Sequence, residues 1–201
     1  MPRRPKTNTK GQVFHTTPHT FALVNLKPLL PGHILICPLH QPQTANSPRQ
    51  PPPSRLTQLS PTQTSDLFHT VRRLTPTLTR LYSAHAFNIA IQDGAAAGQS
   101  VPHLHVHVIP RREGDMDARG GGDRVYEVLE KGEEGDIGAH FRARDGMEGE
   151  DGGARREKRF AADSERKPRS EEEMRGEAEW LREELERDGI YSTPAAITSG
   201  T

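Results

Sequence analysis

Cysteine is almost absent. Cys37 is the only one in 201 residues, which excludes an internal disulfide, and its place in the apolar run Ile34-Leu-Ile-Cys37 predicts a buried structural thiol. Aromatic residues make up 5% and hydrophobic residues 32%, with a mean hydropathy of −0.78. That is too little apolar material for the whole length to pack as one core. No apolar run is long enough to span a bilayer and no signal-peptide core is present, so the expected compartment is the cytoplasm or nucleus, with no membrane partner. Acidic residues are scarce in the first part: residues 1–112 hold 12 Lys and Arg against 2 Asp and Glu, while residues 113–201 hold 15 against 25. A basic half suits a polyanionic ligand. Its basic residues are scattered and its aromatics few, so a small phosphorylated molecule is expected in preference to nucleic acid.

Histidine, by contrast, is concentrated. Three of the ten lie in Val101-Pro-His-Leu-His-Val-His-Val-Ile-Pro110, where His103, His105 and His107 alternate with Leu104, Val106 and Val108. A lone histidine on a strand is ordinarily a surface or satisfied core residue; three at period two point to a site. Alternation predicts a half-buried strand, with the imidazoles on one face at roughly 6.5–7 Å spacing and the aliphatic side chains on the other. Two chemistries compete for such a row. Neighbouring histidines can share a zinc ion, or one can be a nucleophile while the others hold phosphate and proton. The preceding stretch Gln92-Asp-Gly-Ala-Ala-Ala-Gly-Gln-Ser100 is small and Gly-rich, so its amide N–H groups are expected to face phosphate oxygens, helped by the Gln92, Gln99 and Ser100 side chains. With no cysteine and only Asp93 nearby, the usual zinc partners are thin, and an anion-binding nucleophile site fits better.

Around this stretch the pattern reads as an α+β domain. Val13–Thr16 and Thr20–Leu26 are predicted strands turning at Thr17-Pro18-His19, and His33–Pro38 is a third. Residues 41–54 hold five prolines and read as an extended loop. Ser60-Pro-Thr-Gln63 is a helix N-cap, a first-turn proline and a capping-box glutamine. Leu67, Val71, Leu74, Leu78 and Leu81 then form a core-facing stripe, which Pro76 is expected to kink or split. Phe87–Gln92 returns as a strand, so two helices should pack on one face of an antiparallel sheet. A short helix is expected around 124–130. Gly, Glu, Asp and Arg dominate from 132 to 169, which reads as a disordered charged insertion. Ser170-Glu-Glu-Glu173 caps a last helix over 170–188. Residues 1–10 and 189–201 are expected to be disordered ends, leaving 11–131 as the main domain.

Gly98-Gln-Ser-Val-Pro-His-Leu-His-Val-His-Val108 resembles the motif of the histidine triad (HIT) family. Thr20–Asn25, Pro31–Pro38, Gln92-Asp-Gly94, Ile109–Arg112 and Ser170–Met174 are similar to its fragile histidine triad branch, a group of dinucleoside polyphosphate hydrolases. The phosphoramidase branch carries a different segment where this chain has Pro110-Arg-Arg112. The resemblance implies the HIT fold and a homodimer with the two sheets joined. It implies that His105 is the nucleophile, cleaving a substrate such as diadenosine triphosphate to AMP and ADP through a nucleotidyl-histidine intermediate. By the same resemblance His107 and Gln92 hold α-phosphate oxygens, and Gly98, Gln99, Ser100 and Val101 line the polyphosphate site. Asn25 contacts a ribose, His103 orients the imidazole row and His33 supports it from behind. Magnesium or manganese would arrive with the substrate phosphates, with no tightly held cofactor. Two alternatives remain at this point: a nucleotide-bound signalling module with slow turnover, and an adenosine phosphoramidase.

Overall fold

The computed structural model describes residues 11–39, 51–117, 120–123, 125–126 and 168–191. Residues 1–10, residues 192–201 of the tail expected to be disordered from 189, most of the proline-rich loop, and the charged insertion as far as residue 167 lie outside the described residues. So does the expected helix at 124–130, apart from Val125 and Tyr126, which are helical. Within that tail the Ile190 N–H donates to the Leu185 carbonyl at 2.8 Å.

Five antiparallel strands form one sheet in the order β1-β2-β3-β5-β4. They are β1 (Val13–Thr16), β2 (Thr20–Val24), β3 (Ile34–Pro38), β4 (Ala86–Ile91) and β5 (Val106–Arg111). Two helices, α1 (Pro61–Tyr82) and α2 (Glu171–Arg187), cover one face. The period-two and period-3.6 patterns meet there. Ala22, Val24, Ile34, Ile36, Leu104, Val106 and Val108 pack against Leu67, Val71, Leu74 and Leu78 of α1 and Met174, Ala178, Leu181 and Leu185 of α2. A bulge between Val13 and His15 sets His15 opposite Ala22; Phe14 joins the helix-side core, and His15 feels the charges of Arg73 and Asp66 on α1. The opposite face carries smaller apolar groups, with Phe21, Leu23, Leu35, Cys37 and Val101 in one and Leu29, Ile109, Met116 and Val125 in another.

Both helix starts follow their sequences. The Ser60 hydroxyl accepts the Gln63 N–H and Gln63 reaches back to the Ser60 N–H; Ser170 and Glu173 repeat the arrangement. Each box satisfies donors that the first turn leaves open, worth about 1 kcal/mol apiece. Pro76 does not split α1, which runs unbroken for 22 residues. Proline removes the N–H that would serve the Arg72 carbonyl, and the Thr75 hydroxyl donates to that carbonyl instead, at 3.0 Å. The ring lies on the exposed side of the helix, away from the packed core.

The strand of the histidine stretch is shorter than the alternation predicts. β5 begins at Val106, so His107 is in it while His103 and His105 precede it. Pairing ends there on both sides, with Ile36 and Ile91 opposite Val106. The Leu104 N–H turns to the Pro53 carbonyl at 2.8 Å. The alternation of faces nonetheless persists, since Leu104 packs with Val106 and Val108 in the helix-side core.

Candidate active site

His103, His105 and His107 are all buried, as is His33. The hydrogen bonds of the last three assign each a proton position. A carbonyl only accepts, so the His105 Nδ1 donates to the His103 carbonyl oxygen at 2.8 Å, which leaves the His105 lone pair on Nε2. The Leu29 N–H donates to His33 Nδ1 at 3.1 Å. His33 therefore carries its proton on Nε2, and that nitrogen lies 3.1 Å from His107 Nδ1. With Nδ1 accepting, His107 holds its own proton on Nε2. The His105 and His107 rings meet edge to face, centroids 4.8 Å apart. One neutral imidazole thus offers a lone pair beside another that offers an N–H.

Both rings resist protonation. Burial lowers the His105 value below that of a free imidazole, with the bond to the His103 carbonyl acting in the opposite sense. His107 is driven further down, by burial first and then by the positive charge that His33 and His105 would share with it. Around neutral pH the pair is uncharged, the state a nitrogen nucleophile requires.

His103 plays a different part. Its Nε2 donates to the Pro38 carbonyl at 3.0 Å and its ring stands edge-on to Phe21. Its ring is anchored away from the His105–His107 pair, and its backbone oxygen holds His105 Nδ1. Asn25 is buried at the end of β2, its Oδ1 accepting the Lys27 N–H at 2.9 Å and its Nδ2 lying 3.4 Å from the accepting His33 Nδ1. Gln92 is buried where β4 ends.

The Gly-rich loop departs from its expected form. Instead of turning its amides outwards, it closes a 3₁₀ turn at Ala95–Ala97. The N–H groups of Ala97 and Gln99 donate to the Gly94 carbonyl, that of Gly98 donates to Ala95, and that of Gly94 donates to Gln99 Oε1. Short turns satisfy their own donors, and this one leaves those amides facing inwards. Gln99 also donates through Nε2 to the Ser54 carbonyl at 2.9 Å, so both ends of its amide hold the loop together. Val101 is buried among apolar groups, Gly98 is half-buried and Ser100 is exposed.

Sequence reading missed what fastens this loop. Arg55 pairs with Asp93 at 3.0 Å, and its guanidinium lies over Gly94, where an added Cβ would come within 3.0 Å of it. No local pattern marks Arg55, because its partner is 38 residues away. Arg111, at the end of β5, is held by Asp115 at 2.8 Å and by Asn88. Among the described residues no group of three or more His, Cys, Asp or Glu is arranged to hold a metal ion.

A family model described as the HIT domain matches residues 6–114. The chain belongs to the HIT family. Within that family it is 39% identical over 173 residues to a Schizosaccharomyces pombe protein named asymmetrical bis(5'-nucleosyl)-tetraphosphatase, covering 86% of this chain and 87% of the relative. It is 40% identical over 122 residues to the Arabidopsis thaliana bifunctional bis(5'-adenosyl)-triphosphatase/adenylylsulfatase FHIT, covering 61% of this chain and 60% of that protein. The fold is shared with the crystal structure of the Caenorhabditis elegans NitFhit protein, with a TM-score of 0.53 and 28% identity over 87% of this chain and 27% of that one. These relatives support the fragile histidine triad branch of the HIT family.

Proposed function

We propose that this HIT protein hydrolyses dinucleoside polyphosphates, with His105 as the nucleophile. The observation that carries the reading is the proton arrangement: a buried, neutral His105 with its lone pair on Nε2 beside His107 with its proton on Nε2. His105 Nε2 forms a bond to the α-phosphorus as the bond from that phosphorus to the bridging oxygen breaks, releasing a nucleoside diphosphate from a triphosphate substrate. His107 Nε2–H donates to a phosphate oxygen as negative charge shifts. Water then attacks the phosphorus, the phosphorus–nitrogen bond breaks, and a nucleoside monophosphate leaves. Two displacements through a covalent adduct replace one difficult step. Gln92, Gly98, Ser100 and Val101 would line the phosphate path, with Gln99 shaping it. Asn25 would meet a ribose. Magnesium or manganese ions enter as part of the phosphate substrate.

The substrate class draws further support from relatives named as triphosphatase and as asymmetrical tetraphosphatase. The same reading carries a homodimer. β4 is an edge strand among the described residues, with Ile89 on it 48% exposed, and an uncovered edge is a natural pairing surface.

Purified protein given diadenosine triphosphate, diadenosine tetraphosphate or an adenosine phosphoramidate, with products separated by chromatography, tests the proposal. AMP with ADP from the first, or AMP with ATP from the second, is the expected outcome. Preference for the phosphoramidate, or tight binding with negligible turnover of all three, overturns it. His105→Ala should lower turnover by about 10⁴-fold or more while leaving a folded protein. Light scattering after size exclusion checks the dimer.

A further inference from the structure

Asn25 and His33 lie at the two ends of the turn joining β2 to β3, and that turn is gripped from the far end of the chain. The Arg169 backbone N–H donates to the Leu26 carbonyl at 3.0 Å. Its Nε donates to the Asn25 carbonyl, also at 3.0 Å, and Nη2 donates to the same oxygen. The remaining arm of the guanidinium, Nη1, pairs with Glu177 on α2. Glu177 in turn accepts the Tyr82 hydroxyl at 2.9 Å. The Tyr82 ring lies against Gly32, where an added Cβ would stand 2.6 Å from the ring and where φ is +79°. The turn is thus held at residues 25–26 by Arg169 and at residue 32 by Tyr82, and Glu177 joins the two grips.

Between the grips runs the line of contacts to the reacting pair: Asn25 against His33, Leu29 N–H to His33 Nδ1, and His33 Nε2–H to His107 Nδ1. Arg169 and Glu177 are mostly withdrawn from water, at 21% and 19% side-chain exposure. A planar guanidinium that holds a carbonyl and a carboxylate together is a rigid spacer, which a single ammonium cannot reproduce.

We propose that Arg169, with Glu177 and Tyr82, is a positioning element for the reaction. It fixes the β2–β3 turn so that His33 presents its Nε2–H to His107 and keeps the His107 proton on Nε2. The kinetic consequence rests on the hydrolase reading above; the effect on His107 does not. The other end of α2 supplies a control. Arg80 pairs there with Glu184 at 2.7 Å and Asp188 at 2.9 Å, and Thr77 donates to Asp188 at 2.6 Å. These bonds tie α2 to α1 and touch no residue of the turn.

The experiment compares Arg169→Ala, Arg169→Lys and Arg80→Ala in the full chain, at a temperature where unfolding curves show all of them folded. Arg169→Ala should lose about 10-fold or more in kcat with a smaller change in KM, as expected when one buried polar contact is lost. Arg169→Lys should lie between it and the parent, and added guanidinium ion should restore part of the kcat of Arg169→Ala alone. Arg80→Ala should lose stability yet keep kcat within about twofold. Long-range proton–nitrogen spectra of the imidazoles provide the second readout: His107 should show the Nε2–H tautomer in the parent and a mixture in Arg169→Ala. If the parent hydrolyses no dinucleotide, the hydrolase reading fails and this spectrum alone decides the positioning role. An unchanged His107 spectrum in Arg169→Ala overturns the proposal, as does an equal loss of kcat in Arg80→Ala.

Discussion

The two faces of the sheet are held by different kinds of interaction. On the helix side, sixteen buried hydrophobic residues from six elements and the Leu104 approach share one cluster, and no single neighbour decides where any of them sits. On the histidine side, the apolar clusters are small and separate, and the geometry depends on individual hydrogen bonds between His33, His105, His107 and particular backbone groups. Hydrophobic burial is non-directional and roughly proportional to area. Buried polar networks are directional, and each missing partner is costly. One face therefore carries stability and the other carries aim.

This contrast can be broken by substitution. Leu74 is fully buried between α1 and the sheet, so Leu74→Ala should cost about 2–5 kcal/mol in denaturant unfolding. Its kcat, measured where the variant is folded, should stay close to that of the parent; a large fall in kcat would mean that the apolar core, and not only the polar contacts, aims the site. His33→Ala should act in the opposite way, lowering kcat by roughly 10- to 100-fold through the freed His107 ring, an effect of about 1–3 kcal/mol. Loss of stability alone, with kcat preserved, would undo the assigned role of His33.

The smallest effect sharpens the comparison, because it concerns a polar group on the apolar side. His15 is held from its usual 6.5 down to about 4, by burial first and then by the charge of Arg73, with Asp66 opposing. Below pH 6.5 the unfolded chain takes up a proton that the folded chain refuses. The contribution is therefore complete above pH 6.5 and drains away as the pH falls towards 4. His15→Gln should remove about 1 kcal/mol of the stability lost between pH 6.5 and 5.5. Unfolding curves at the two pH values measure it, and an unchanged slope would relocate the acid sensitivity to the buried histidines of the other face.

What the sequence made legible follows the same division. The stripe from Leu67 to Leu78 and the alternation through Leu104, Val106 and Val108 reported their faces correctly, because face is encoded by period. The Ser60 and Ser170 caps were equally plain, since each cap and its partner lie three residues apart. Pro76 does not split its helix, where the neighbouring Thr75 hydroxyl takes over the carbonyl that proline abandons. The strand at His103 and His105 was over-read because alternation records which way side chains point, not whether neighbouring strands continue to pair. Residue types drew attention to His103, His105, His107 and His33, but the proton position on each ring depends on groups such as the Leu29 N–H. Arg55 and Arg169 were invisible for a related reason: each bonds to groups tens of residues away, and a local pattern holds no trace of such a partner.

The last helix reaches the first strand. Arg182 of α2 donates to the Val13 carbonyl at 2.7 Å, and Arg169 holds the carbonyls of Asn25 and Leu26. On the ribosome, β1 and the β2–β3 turn therefore emerge long before the groups that clasp them. The histidines can be synthesised, and even approach one another, while one side of the sheet still lacks half of its covering. Long-range closure of this kind slows folding and leaves strands open to stray pairing in the interval. Competence arrives late in synthesis, when residues beyond 169 have cleared the exit tunnel, and a ribosome stalled before that point would display an uncovered sheet to the cell's chaperones.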